Sequence, residues 1–568
     1  MDGIRRRIRP VQQKCKDKMK PSGWLLPQQK SSFADDGTWT NVDMDVTPLE
    51  RRVWGPWTML GFWFSDALNA QGWEAPAAII AGGLTWREAI YCIIFGNLTT
   101  TLPLVLNGAM GANLHIPFPV AMRSSFGWYF SRFAIVVRMA TALFWHAIQT
   151  YTGSTAITQC IRAIWPSYLN IPNHLPASAG ITSQQLLSHF IFWSIQLPFL
   201  LTPPHKLKWF FSFKAAVVLI SSVGVVIAMT SKAHGTGDIW NQSYGVPPGA
   251  KRNWLILSSM SSITGSWATM ATNIPDFTRY LDRPKGVYWQ VAFLPVIQII
   301  LGLFGIICTS AAKVVYGYYI WDPVSLAAEW KDGPGNRAGA FFVGFTWCVA
   351  QIGTNLSANV ISCANDLTSL CPRYINIRRG VILTTITAGW IMVPWKIISS
   401  AASLLSFMSG LGIFLAPIAA IMGADYWIVK RKHVDVPALY RAHGRYRYHA
   451  RWGTNWRAVV AFFISVVPNI PGMAASVNPS LAPSVGSAVK IYDIFYLWGF
   501  FSAFVVYSLL GRLFPATETL VPETISGDDV YFGMDATTGA GGSFFTDGDV
   551  DEEKKGVEAM VVRSACPI

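Results

Sequence analysis

The chain of 568 residues is 52% hydrophobic and only 13% charged, a balance open to a large soluble protein or a polytopic membrane protein. Repeated apolar runs of about 20 residues exceed what a soluble core needs and decide for membrane helices. The net charge of +14 sits in short connections between those runs, so it reads as topology and not as a nucleic-acid groove.

Residues 1–52 form a basic, polar N-terminal tail with no apolar signal-peptide core, which leaves insertion to the first membrane helix. The eight cysteines show no CxxC pair and no ligand spacing, so neither a disulfide framework nor a metal site is expected. The C-terminal Ala-Cys-Pro-Ile does not fit a prenylation box.

A transmembrane region over 53–512 follows, with about 12 spans by length. They are predicted at 57–83, 88–112, 127–161, 186–202, 209–230, 254–279, 287–313, 339–367, 379–398, 400–428, 456–475 and 491–512. The first and sixth are interrupted. Ser65-Asp-Ala-Leu-Asn-Ala-Gln-Gly-Trp-Glu-Ala-Pro76 breaks one, and Gly265, Asn273 and Pro275 break the other. A proline removes an N–H and clashes with the preceding turn, and hydrocarbon tolerates freed backbone groups only where they line a cavity. Two broken spans at corresponding places in two halves predict a transporter site near the midplane.

Alternate connections are basic: the N-tail, Arg123, His205 to Lys208, Arg279 to Lys285, Arg373 to Arg379, and Lys430 to Arg457. This pattern predicts both termini on the cytoplasmic side. Asn241-Gln-Ser on an opposite loop is a glycosylation acceptor. Residues 513–568 read as an acidic, disordered cytoplasmic tail in which Lys554 and Lys555 are candidates for regulated turnover.

No nucleophile elbow, HExxH or phosphate loop is present, which argues against an enzyme. Trp145 and Gln149 are four apart and share a helix face, placing a ring beside an amide. Such a face suits a flat heterocycle: stacking on an aromatic is worth about 1–3 kcal/mol per base, and the amide reads its edge. Trp267 and Ser266 offer a second ring and a hydroxyl at the break. The run Thr354-Asn-Leu-Ser-Ala-Asn359 is polar enough to wall a hydrated cavity. Asp66 and Glu74 lie inside the first span, and Glu74, expected at its break, is a candidate for carrying a coupling proton. Arg138, Lys214 and Lys313 are expected to snorkel from span ends, and Asp366 to pair with Arg373 or Arg378.

Trp145-xxx-Gln149, Gly265-Ser-Trp267 with Pro275-Asp-Phe-Thr-Arg-Tyr280, Asn355 to Asp366, and Ala424-Asp-Tyr-Trp-Ile-Val-Lys with Asp435-Val-Pro-Ala-Leu-Tyr440 together resemble the nucleobase:cation symporter-1 family. The closer likeness is to its Fur-like branch of fungal uracil, allantoin, uridine and thiamine permeases, over about Asn41 to Arg512. The resemblance implies an all-α, LeuT-type inverted five-plus-five core with broken helices 1 and 6 and two extra C-terminal helices. It implies that Trp145 and Trp267 stack on the ligand, that Gln149 and Asn359 bond its edge, and that Phe407 and Met408 lie in an outer gate. A sodium site would map to Ala350, Gly353 and Thr354 with carbonyls near Ala70 and Trp73. Gly353 lacks the hydroxyl of sodium-coupled members, which favours a proton over Na+. The span-1 amide contact is left open among Asn69, Gln71 and Glu74.

The expectation is a plasma-membrane symporter importing a planar nitrogenous compound such as uracil, allantoin or uridine. A thiamine-type carrier that sets Glu74 against a cationic ligand, and a non-transporting nutrient sensor, are the alternatives. Oligomeric state is not legible in the sequence.

Overall fold

The computed structural model describes residues 24–28, 33–35, 38–202, 207–235, 240–241, 245–397, 401–449 and 451–528, and omits the side chains of 208, 401–404 and 407. Asn241 is the only member of its glycosylation triplet within that set, and Lys554 and Lys555 lie outside it. Among the described residues the chain is helical throughout, with isolated bridges such as Trp54 to Leu281 in place of strands. Among the described residues seven helices are each long and apolar enough to cross a bilayer.

The first predicted span is two helices, α1 (Pro56–Ala67) and α2 (Ala70–Ala81). They are followed by α3 (Trp86–Leu114), the short α4 (Phe118–Phe126), α5 (Phe130–Ile164), α6 (Ser183–Leu201) and α7 (Lys208–Lys232). The sixth predicted span is also divided, into α8 (Ala250–Ser266), α9 (Ala268–Asn273) and a last turn over Pro275–Thr278. Next come α10 (Gln290–Tyr316), α11 (Gly333–Thr354), a π-helical turn over Asn355–Val360, and α12 (Ile361–Leu370). The chain continues through α13 (Ile377–Ile386), α14 (Ala401–Ala424), α15 (Trp456–Val466) and α16 (Phe495–Leu513).

Helix ends follow local chemistry. Thr85 begins α3 and Thr182 begins α6 with reciprocal capping boxes to Glu88 and Gln185. Helices α2, α3, α8, α9 and α10 pack together on one side, and α5, α6 and α11 on the other, while α7 touches both α10 and α11. Tight approach within the second group depends on Gly153, where an added Cβ would stand 2.0 Å from the Phe192 ring.

Buried charges pair inside this frame. Arg138 and Lys214 are fully buried, so the expectation that both snorkel from span ends is corrected: they face protein and not lipid. Arg138 forms an ion pair with Asp366 and donates to the Ser362 carbonyl at 2.7 Å, so Asp366 pairs with neither Arg373 nor Arg378. Its distance along the chain hid that partner. Lys313 does reach outward, to the exposed Gly317 carbonyl at 2.6 Å. At another helix end Lys430 pairs with Asp425 at 2.6 Å, and Tyr507 donates to the same carboxylate at 2.7 Å.

The described ends of the tails lie on the helical body. Tyr440 donates to the Met44 carbonyl at 2.9 Å, and Arg52 makes a paired contact with Asp528 at 2.8 Å on both oxygens.

Gly153→Ala is expected to force α5 and α6 apart at a cost of about 1–3 kcal/mol. Lower surface abundance of a fluorescent fusion, restored by a compensating Phe192→Ala, checks this.

Candidate functional site

The breaks set the site. Leu68 and Asn69 leave the helical region, so carbonyls of the last turn of α1 and amides of the first turn of α2 lack intrahelical partners. Side chains supply them. The Asn69 amide donates to the Asp66 carbonyl at 2.6 Å and accepts from the Gly72 N–H at 2.8 Å. Gln298 of α10 donates to the Ala67 carbonyl at 3.2 Å, and Gln351 of α11 accepts from the Ala70 N–H at 3.3 Å. Lys214 of α7 donates its ammonium to the Ser65 carbonyl and, at 2.8 Å, to the Thr354 hydroxyl.

The second break lies at Trp267 and again at Ile274, on either side of α9. Asn107 donates to the Ala271 carbonyl at 2.9 Å, and Asn273 to the Ser362 hydroxyl at 2.9 Å.

A cavity of about 60 Å³ lies between the two breaks. At roughly 15 Å³ of centre space per water it has room for about four. Trp145, Gln149, Thr354 and Asn359 line it from α5 and the α11 side, and Ser266 and Trp267 line it from the second break. The rings and amides that the sequence singled out thus meet in one place. Trp267 is braced edge-on by Trp63 at 5.6 Å. Asn359 donates to Asn355 at 3.0 Å, and Asn355 to Gln196 of α6 at 3.1 Å, so a polar chain fixes its carboxamide. The π turn places Asn355 and Asn359 in this arrangement, and such turns are frequent at functional sites.

A family model described as "Permease for cytosine/purines, uracil, thiamine, allantoin" matches residues 45–499. The chain belongs to this permease family. The allantoin permease of Saccharomyces cerevisiae is 34% identical over 490 residues, covering 85% of this chain and 77% of its own. That yeast's uracil permease is 33% identical, covering 84% and 76%. An uncharacterised permease of Schizosaccharomyces pombe is 37% identical, covering 85% and 86%. Among solved structures, Mhp1, a nucleobase-cation-symport-1 family transporter in a closed conformation with bromovinylhydantoin bound, superposes with TM-score 0.67 at 23% identity. The match covers 84% of this chain and 97% of that one, and establishes the LeuT-type helical fold.

In this permease Glu74 stands apart from the cavity. The break falls at Leu68–Asn69, ahead of the expected position, so Glu74 lies within α2, buried and bonded by Gln71 at 3.4 Å. Asn69 and Gln71 line the cavity, but the Asn69 amide caps α2 and the Gln71 amide donates to Thr152 at 3.2 Å. Ala350 is buried behind the wall and accepts from Thr354 at 3.1 Å. Met408 is buried against Gly265, and the Phe407 side chain lies outside the described set.

Sequence reasoning missed Lys214 as a site residue. The signal was a lone cation within the apolar run Trp209 to Met229, with Gly353 as its complement: a Cβ at Gly353 would lie 2.5 Å from the lysine Cδ. It also passed over Asn97, Thr269 and Gln298, all of which line the cavity.

With surface abundance unchanged, Trp267→Ala and Asn359→Ala are each expected to lower substrate affinity about 10- to 100-fold, the scale of one lost stacking or buried hydrogen-bond contact. Inhibition constants from competition uptake check this.

Proposed function

We propose that this permease is a plasma-membrane proton symporter importing a planar nitrogenous compound such as uracil, allantoin or uridine. One observation carries the reading: two indoles and two carboxamides from distant parts of the chain converge on a cavity between two helix breaks. Trp145 and Trp267 stack on the guest, Gln149 and Asn359 hold its edge, Ser266 contributes a hydroxyl, and Met408 belongs to the outer gate. Allantoin, uracil and uridine permeases among the relatives support the substrate class.

Lys214 supports the coupling assignment. Its ammonium is bonded to the Ser65 carbonyl and the Thr354 hydroxyl and fills the space that a side chain at Gly353 would take, beside two of the positions to which a sodium site would map. A fixed cation there competes with sodium, whereas loss and gain of its proton changes the contacts that tie α1 to α11 and α7. Glu74, buried beside Gln71, is a second carrier for the proton.

A cationic ligand of the thiamine type is a second reading, favoured by Asp66 and no longer by Glu74. Asp66 lines the cavity, and one of its carboxylate oxygens has no partner among the described residues.

Uptake of labelled uracil, allantoin, uridine, cytosine, thiamine and hydantoin into a transporter-deficient cell tests the assignment. One or more neutral heterocycles are expected to accumulate, and accumulation of thiamine alone selects the second reading. Uptake is expected to rise as external pH falls and to ignore replacement of sodium by choline. Lys214→Met, present at the surface, is expected to lose concentrative uptake at least tenfold together with its pH dependence. Sodium-dependent, pH-independent uptake overturns proton coupling.

A further inference from the structure

Four of the buried, unpartnered polar atoms among the described residues belong to residues lining the cavity: Asp66 Oδ2, Asn97 Oδ1, Gln149 Oε1 and Thr269 Oγ1. Their residues are between 1% and 6% exposed. Asn107, Asn273 and Gln290 also carry unpartnered oxygens but do not line the cavity.

Asn97 is held in one orientation. Its Nδ2 donates to the Ile93 carbonyl at 2.8 Å, so the nitrogen end is committed and the oxygen is the free acceptor. Thr269 is freed by the second break. Thr100, Thr150, Thr264, Thr272 and Thr278 all donate to the carbonyl four residues back, the usual refuge of a helical hydroxyl. For Thr269 that carbonyl belongs to Gly265, on the far side of Trp267 where α8 ends, and the bond is not made. A buried acceptor left without a donor is costly, so such atoms in a cavity wall mark where a ligand bonds.

Asn97 and Thr269 stand on α3 and α9, which pack on each other, whereas Gln149 and Asn359 stand on the packed α5 and α11 side. The cavity therefore has a polar edge on each wall. Three of the four unpartnered atoms are carboxylate or carboxamide oxygens, which only accept.

We propose that Asn97 and Thr269 are specificity-determining residues forming a second hydrogen-bonding edge, and that this edge selects planar ligands presenting an N–H toward it. Cyclic imides, lactams and ureides meet that demand, and forms methylated at the nitrogen that faces this edge do not. A ligand with N–H groups on two sides joins both walls and closes them, which couples recognition to the transport step. The inference rests on reading this cavity as the substrate site.

The test measures inhibition constants of uracil, 1-methyluracil, 3-methyluracil, hydantoin, 1-methylhydantoin and 3-methylhydantoin against whichever labelled panel compound is carried. In the wild type at least one N-methyl analogue of each parent is expected to bind about 10- to 100-fold more weakly than that parent. Asn97→Leu and Thr269→Val are each expected to narrow that ratio to about threefold or less, while Thr269→Ser keeps it. Surface fluorescence confirms that each variant is present. Should Asn97→Leu be retained inside the cell, the Thr269→Val and Thr269→Ser pair decides. Parent uptake with ratios unchanged in the variants, or no discrimination in the wild type, overturns this inference alone. Absence of uptake for every panel compound overturns the carrier assignment and this inference with it.

Discussion

Inside hydrocarbon no water is available for a freed backbone group, so a helix can stop at mid-membrane only where protein replaces the missing partners. At Leu68–Asn69 that replacement is nearly complete. Lys214, Gln298 and Gln351 approach from three other helices, and Asn69 serves both sides of the break. The first break is thus the point where α7, α10 and α11 are tied to α1 and α2.

The location of Lys214 follows from this constraint. A buried ammonium is expensive unless it is paired and hydrogen-bonded, and the Ser65 carbonyl at the end of α1 offers it an acceptor. Gly353 leaves room for the lysine stem, and Thr354 adds a hydroxyl. Lys214 thus stands on a helix that touches both packed groups, α7 meeting α10 in one and α11 in the other.

The cavity shares residues with the helix breaks and the polar chain. Trp267 is both the cap of α8 and a wall of the site, and Asn359 is both a cavity group and the end of a polar chain reaching Gln196. A ligand touching these atoms necessarily touches the elements that divide the bundle. Thr269 stands at the same junction: the carbonyl four residues back lies across Trp267, and its hydroxyl makes no bond there.

Much of this was legible in the chain. Apolar runs predicted a polytopic helical protein, prolines and glycines marked the two interrupted spans, and the spacing of Trp145 and Gln149 placed a ring and an amide on one face. The pairing of charges and the depth of each break belonged to the tertiary structure. Arg138 with Asp366, and Lys214 with Ser65 and Thr354, are contacts between residues more than a hundred positions apart, and no local pattern encodes them. Glu74 marks the same boundary: it lies close to the break in sequence, yet the helix restarts before it and turns its carboxylate to Gln71 instead of the cavity. Local sequence determines where a helix is weak, because that depends on the residue's own backbone; which neighbours repair the weakness depends on packing, and packing assigned the roles.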